Sequence, residues 1–306
     1  MDHNPDPCVV LTVGEALFDV FEHQAVLGGA PVNTAVHVRQ MLPADYRVHM
    51  LSRIGDDDLG HRLAEELLAR NLRLDLLQTD PTRPTGQATV RLDQQGDAKF
   101  TIEPDAAWDF IEPTPLALDA ASRADVILFG SLAQRSSVSR GTIQAILKAS
   151  TGHRLFDVNL RQDFYTPELL EQSLRIATHA KVNREELEEL DGLFASQPHQ
   201  TDEDRARHLL ERFSLEMLSL TRGADGCVLY TADRSYTGRP VSFEPEADSD
   251  TVGAGDATNA ALIVGLVLGQ EPEAIVNQMN RLGAYVATRS GATPVLADDL
   301  LDLPAA

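Results

Sequence analysis

Lysine is almost missing from this chain of 306 residues: its 26 basic residues include only Lys99, Lys148 and Lys181, and the rest are arginine. Phe100, Ala149 and Val182 follow the three lysines, where a Walker A phosphate loop needs Ser or Thr. That route to nucleotide phosphates is excluded. Cysteine is scarce too. Cys8 and Cys227 lie in apolar runs without metal-ligand spacing, which predicts two small buried hydrophobes. Long apolar runs are lacking: the longest, 260–269, is about half a membrane span. Met1 to Pro7 lack the basic-then-apolar order of a secretory leader, so a cytoplasmic protein is expected. Positive charge is itself in deficit. The net charge of −21 repels nucleic acid and anionic membranes, and neither is expected as a partner.

What is present is a rhythm. Apolar runs at Cys8–Val13, Arg47–Leu51, Asp125–Phe129, Arg154–Val158, Ala180–Val182, Met217–Leu220 and Cys227–Tyr230 read as strands. Amphipathic segments between them predict helices at 32–41, 58–70, 139–149, 167–177, 184–191, 202–213, 254–268 and 272–289. This alternation predicts a largely parallel sheet with helices on both faces. Two segments break it. Leu17–Leu27 lacks helical periodicity, and Thr85–Leu92 with Ala98–Ile102 reads as a hairpin turned at Asp93–Gly96. Together they predict a small β lid contributed by about 15–30 and 84–112. No flexible linker divides the chain, so residues 1–306 are expected to form one α/β domain. A lid can exclude water from a reaction that water would spoil.

The most informative run is Asp250-Thr251-Val252-Gly253-Ala254-Gly255-Asp256, just before the apolar stretch. Small residues at a helix start leave N–H donors uncovered at the positive dipole end, which suits an anion. Asp256 stands beside them as a carboxylate base. Phosphoryl transfer to an alcohol needs both parts. A Rossmann fingerprint fits poorly, because Thr258 stands where the third glycine belongs and the loop does not follow the first strand. Alone, the run also reads as a plain helix start with Asp256 in its first turn. Asn183-x-x-Glu186 reads on its own as a capping-box-like pair whose side chains share one helix face.

An ordered series of blocks covers essentially the whole chain. They are Val13-Gly14-Glu15-Ala16-Leu17-Phe18-Asp19-Val20, Leu27-Gly28-Gly29-Ala30-Pro31-Val32-Asn33-Thr34-Ala35 and Ser52 to Gly60. Phe156-Asp157-Val158-Asn159-Leu160-Arg161, Lys181 to Leu187, Leu220 to Gly226 and Asp250 to Asp256 complete it. The series resembles the ribokinase-like carbohydrate kinases, the PfkB family, and within it the bacterial fructokinases. The resemblance implies a three-layer α/β sandwich with a mostly parallel central sheet and a β-sheet lid. It implies ATP-dependent phosphorylation of a sugar primary hydroxyl, with fructose first and ribose, 2-keto-3-deoxygluconate and nucleosides as other acceptors. A non-catalytic sugar-binding regulator on the same scaffold is the competing class.

Carried over residue by residue, the resemblance makes Asp256 the base and Gly253, Ala254 and Gly255 the anion hole. Arg161 clamps the transferring phosphate. Asp19, Gly28, Gly29, Asn33 and Asn159 face the sugar. Asn183 and Glu186 orient Mg²⁺ and its waters, while Thr221, Gly223, Gly226 and Asn280 line the nucleotide. Asp250, Val252, Arg289 and Gly291 resemble a monovalent-cation (K⁺) loop. Phe100, Trp108 and Phe110 are open to either sugar stacking or core packing. Thr258 departs from the aromatic residue many relatives carry there. The lid implies a homodimer, since its strands need partners for their edges.

Overall fold

The computed structural model describes residues 9–21, 24–92 and 98–301, with backbone alone at 90–92 and 98–100. Cys8 and the turn at Asp93–Gly96 lie outside the described residues. Among the described residues thirteen strands follow in chain order. They are β1 (Val9–Val13), β2 (Leu17–Val20), β3 (Ala25–Gly28), β4 (Arg47–Gly55), β5 (Leu77–Asp80), β6 (Gly86–Leu92) and β7 (Ala98–Ile102). After them come β8 (Val126–Gly130), β9 (His153–Asp157), β10 (His179–Asn183), β11 (Met217–Thr221), β12 (Cys227–Thr231) and β13 (Ser235–Thr237).

Nine strands form one sheet in the order β13-β12-β11-β10-β9-β8-β1-β4-β5. From β5 to β11 all neighbours are parallel, and β12 and β13 close one edge antiparallel. Parallel strands covered on both faces are apolar throughout, and their side chains divide between two cores. Val9, Leu11 and Val13 enter one core while Val10 enters the other; Ile127 and Phe129 part from Val126 and Leu128 in the same way. Helices Pro115–Ser122, Ser137–Ala149, Pro167–Ile176, Arg184–Phe194 and Asp202–Phe213 cover the first face. Ala30–Met41, Asp58–Ala69, Ala254–Val267 and Pro272–Val286 cover the second. The result is the expected three-layer α/β sandwich.

The lid is a separate four-stranded sheet, β3-β2-β6-β7. The expected hairpin pairs antiparallel with Val90 opposite Phe100, and β2 lies parallel to β6. Elements not read from the sequence include β5, β13, the four-residue helix Asp298–Leu301 and the longer helix Pro115–Ser122. The strands have four and three residues, too short to show a period. The helix buries only Ala117 and Ala121, yet Thr114 caps it through Ala117 N–H and Pro115 opens it, a signal present in the sequence. Among the described residues no helix is long and apolar enough to cross a membrane.

Candidate active site

Strand order reverses around β1, with β4 added on one side and β8 on the other. Open parallel sheets bind ligands at such a switch, beyond the carboxyl ends of their strands. Glu15 follows β1, while Asp157, Asn183 and Thr221 close β9, β10 and β11. One end of the sheet thus collects acids, an amide and a hydroxyl.

The helix Ala254–Val267 begins at this crevice. Its cap residue Gly253 has φ 78°, and a Cβ there would stand 2.3 Å from the Ala292 carbonyl oxygen, so only glycine fits. Ala254 N–H reaches Thr251 O at 3.3 Å. The N–H groups of Gly253, Gly255 and Asp256 have no protein acceptor among the described residues. Bare donors at a helix start make an anion site. Gly255 keeps it open: a Cβ there would lie 3.2 Å from Lys181 Nζ.

Asp256 Oδ2 accepts a 2.8 Å hydrogen bond from Asn33 Nδ2, which the helix Ala30–Met41 carries. Burial pushes the Asp256 carboxyl up to about 6, and Asp157 adds to the push. Asn33, Lys181 and Arg161 oppose it. Behind Asp256, Lys181 Nζ donates to Asp157 Oδ1 at 3.1 Å, and Asn259 Nδ2 donates to Asp157 Oδ2 at 2.9 Å. Burial alone would lower the Lys181 pKa, but Asp157, Glu186 and Asp256 together raise it, so the ammonium stays charged.

On the lid side, burial raises Glu15 to about 7 and Asp19 to about 6. Arg161, an exposed residue, opposes both shifts as it does that of Asp256, so one guanidinium acts on all three acids. A Cβ on Gly28 would meet Asp19 Oδ2 at 2.6 Å, and one on Gly29 (φ 105°) would meet the Glu15 carbonyl at 2.5 Å. The glycine pair lets the lid press onto these acids. Asn159 holds a left-handed φ of 40° at the turn that leads to Arg161.

Glu186 realises the capping box. Its Oε2 accepts from Asn183 N–H at 2.9 Å while Asn183 Oδ1 accepts from Glu186 N–H at 2.8 Å. Its Oε1 accepts from Leu160 N–H at 2.9 Å. Burial raises its pKa, Asp157 adds to this and Lys181 opposes it. A buried carboxyl short of positive charge, each oxygen with a lone pair left for a metal-bound water, fits a Mg²⁺ shell. Capping and metal binding are therefore compatible here.

The remaining residues form two loops. Gly223 (φ 56°) and Gly226 (φ 73°) bend the chain after Thr221, whose hydroxyl donates to Val182 O at 3.3 Å. Asn280 Oδ1 accepts from Cys227 N–H at 2.7 Å and its Nδ2 donates to Arg239 O at 2.9 Å. The Asn280 amide thus clamps this loop from behind. In the second loop Asp250 N–H bonds to Arg289 O at 3.1 Å, and the Asp250 carboxylate accepts from Val252 N–H and Gly291 N–H. All four residues of the expected cation loop are brought together. The Arg289 guanidinium turns away, over the Tyr285 ring and toward Glu246.

A family model of pfkB family carbohydrate kinases matches residues 8–299. The chain belongs to that family. It is a sugar kinase, an ATP-dependent phosphotransferase. The fructokinase of Escherichia coli is 28% identical over 285 residues, covering 88% of each chain. That of Solanum tuberosum is 29% identical over 280 residues, covering 88% of this chain and 82% of its own. Among solved structures, Vibrio cholerae fructokinase bound to fructose, ADP and calcium superposes with a TM-score of 0.79 at 23% identity, covering 98% and 99% of the two chains. A Pyrococcus horikoshii sugar kinase in complex with ATP gives 0.75 at 24%, covering 92% and 93%.

Four residues of the pfkB cleft were given no role from the sequence: Glu15, Asp157, Lys181 and Asn259. A signal existed for two. Asp157 and Lys181 sit inside runs read as buried strands, and buried charges must pair. Trp108 is fully buried with the Arg135 guanidinium 4.1 Å over its ring, and Phe110 lies under Arg83 at 3.4 Å. Core packing is thus what Trp108 does; the Phe100 side chain is outside the described residues. Thr258 turns its hydroxyl to Gly255 O at 2.7 Å and sets its methyl against Gly283, filling the space behind the helix start. Cys227 is buried, and burial pushes its thiol up to about 12. It packs as a small hydrophobe.

Proposed function

We propose that the chain transfers the γ-phosphoryl of ATP to the 6-hydroxyl of D-fructose, with Asp256 as general base. The observation that carries this reading is the juxtaposition of a carboxyl poised at about 6 with bare N–H donors at the same helix start. A base near the working pH removes a hydroxyl proton most efficiently. Asn33 fixes the Asp256 carboxylate so that its other oxygen, Oδ1, faces the incoming hydroxyl. As the sugar oxygen attacks phosphorus, the proton passes to Asp256 and the O–P bond to ADP breaks. Charge growing on the phosphoryl oxygens is met by the N–H groups of Gly253, Gly255 and Asp256, by Arg161, and by the Lys181 ammonium behind Gly255.

Asp19, Gly28, Gly29, Asn33 and Asn159 hold the sugar hydroxyls, and Glu15 shapes the floor beneath them. Glu186 and Asn183 would hold Mg²⁺, which would neutralise charge on the nucleotide phosphates. Thr221, Gly223 and Gly226 run along the nucleotide, and Asn280 acts through the loop it clamps. Asp250, Val252, Arg289 and Gly291 form the K⁺ loop. The protein works in the cytoplasm as a homodimer paired through the lid strands.

Fructose rests on the relatives: both the compared sequences and a compared structure carry the name fructokinase, the latter with fructose bound. The experiment is a coupled ADP-release panel with fructose, ribose, 2-keto-3-deoxygluconate and adenosine, run alongside Asp256→Asn. Clear preference for fructose upholds the assignment; preference for another acceptor overturns the substrate while leaving the kinase chemistry in place.

A further inference from the structure

Away from the cleft, the loop after the helix Arg184–Phe194 folds back beside the helix Asp202–Phe213. Three side chains converge there: Asp191 on the first helix, His199 on the connecting segment and His208 on the second. Their donor atoms all lie within 4.8 Å of one another. Asp191 Oδ1 is 2.6 Å from His199 Nδ1 and 3.5 Å from His208 Nδ1. The two imidazoles stand 4.9 Å apart between centroids, tilted by 35°.

We propose that Asp191, His199 and His208 bind a divalent transition-metal ion of the zinc class. Asp191 is almost wholly buried, and its Oδ2 is anchored by His199 N–H at 2.7 Å, which leaves Oδ1 as the ligand atom. His208 Nδ1 is buried without a hydrogen-bond partner, although it is aimed at Asp191 Oδ1. A buried imidazole nitrogen left without a partner is costly unless something fills the space it faces. One helical turn away, the same two helices are joined by an ordinary ion pair, Arg205 to Glu188 at 3.2 Å. Among the described residues the charge partners of Asp191 are His199 and His208, so imidazoles take the place of the cation.

The donor set selects the ion. Two imidazoles and one carboxylate suit Zn²⁺, Co²⁺ or Ni²⁺, whereas Mg²⁺ and Ca²⁺ take oxygen ligands. Metal–ligand bonds of about 2.0–2.1 Å in a tetrahedron put neighbouring ligand atoms ~3.3 Å apart. His208 already stands near that separation from Asp191. His199 needs to move outward by about 0.7 Å to reach that spacing, replacing a shared proton by the metal. His199 is 35% and His208 22% exposed on their side chains, which leaves room for entry and for a water as fourth ligand. The bound ion would staple residues 195–201 to both helices. The first of these helices begins at Asn183 and Glu186, so the staple steadies the element that carries them.

The test uses the full-length protein, stripped with chelator and free of nucleotide, titrated with Zn²⁺ and separately with Co²⁺. The expected result is saturable binding, visible Co²⁺ absorption bands of a tetrahedral nitrogen–oxygen site, and a rise in Tm with Zn²⁺. His208→Ala and, at a more exposed position, His199→Ala each weaken that binding by at least tenfold, while His61→Ala on the helix Asp58–Ala69 leaves it intact. Equal affinity and equal Co²⁺ spectra in wild type and both site variants would overturn the proposal, as would absence of a tetrahedral Co²⁺ spectrum. If one variant fails to fold, the other carries the comparison.

Discussion

Replacing Asp256 by Asn separates chemistry from stability in one substitution. The amide keeps the shape of the carboxyl and can still meet Asn33, but it takes no proton. General-base catalysis is worth about 10²–10⁴ in rate, so kcat should fall by that factor, ~3–5 kcal/mol of barrier. Stability should move the other way, and only at high pH. The folded carboxyl titrates at about 6 against an ordinary 3.8. A raised acid binds its proton more tightly folded than unfolded, so its favourable contribution is complete below about pH 4 and is lost as pH rises through about 6. Above pH 7 the ionised Asp256 therefore destabilises the protein, by on the order of 1–3 kcal/mol; its opening to the cleft places it toward the lower end. The variant, which never ionises, should be more resistant to urea than wild type at pH 8 and indistinguishable at pH 3.5. ADP release at pH 8 and urea melts at both pH values read the two effects. A kcat within tenfold of wild type would refute the base; an equal stability gain at both pH values would refute the ionisation argument.

Asn33→Ala removes a hydrogen bond that holds the Asp256 pKa down, so the acid limb of the kcat/KM profile should shift to higher pH; an unmoved limb would show that the contact is idle. Gly253→Ala forces a Cβ onto the Ala292 backbone from a left-handed φ, so kcat should drop at least tenfold as the donors are displaced, while an active variant would place the anion hole elsewhere. Lys181→Met leaves Asp157 buried without its cation and should cost about 3–5 kcal/mol in denaturant melts. Asp157→Asn combined with it should recover part of that loss, because no charge is then stranded. In the nucleotide-free protein Glu15, raised to about 7, and Asp19, raised to about 6, obey the same sign as Asp256, so wild-type Tm should decline between pH 5 and pH 8.

Strands with both faces buried declare themselves by composition, which is why Val9–Val13, Val126–Gly130 and Met217–Thr221 were readable, while Leu77–Asp80 and Ser235–Thr237 at the sheet edges were not. The site divides along another line. Gly253 and Asp256 are neighbours in sequence, as are Asn183 and Glu186, and the local geometry of each pair follows from helix-start rules that any reader of the chain can apply. Asp157, Lys181 and Asn259 come from three separate elements, and nothing local says that they meet. Their meeting accounts for the raised pKa of the Asp256 carboxyl. Asp157 pushes the Asp256 carboxyl upward, the Lys181 ammonium opposes that push, and Asp256 comes to rest at about 6. The scarcity of lysine is informative for the same reason. Of three lysines in an arginine-rich chain, the one on β10 is the compact ammonium that fits behind Gly255, where a Cβ would already stand 3.2 Å from Nζ and a planar guanidinium would not fit without displacing the helix start. Lys181→Arg should therefore cost activity as well as stability despite keeping the charge, and retention of full activity in that variant would show that charge alone, not shape, is what the anion hole requires of this position.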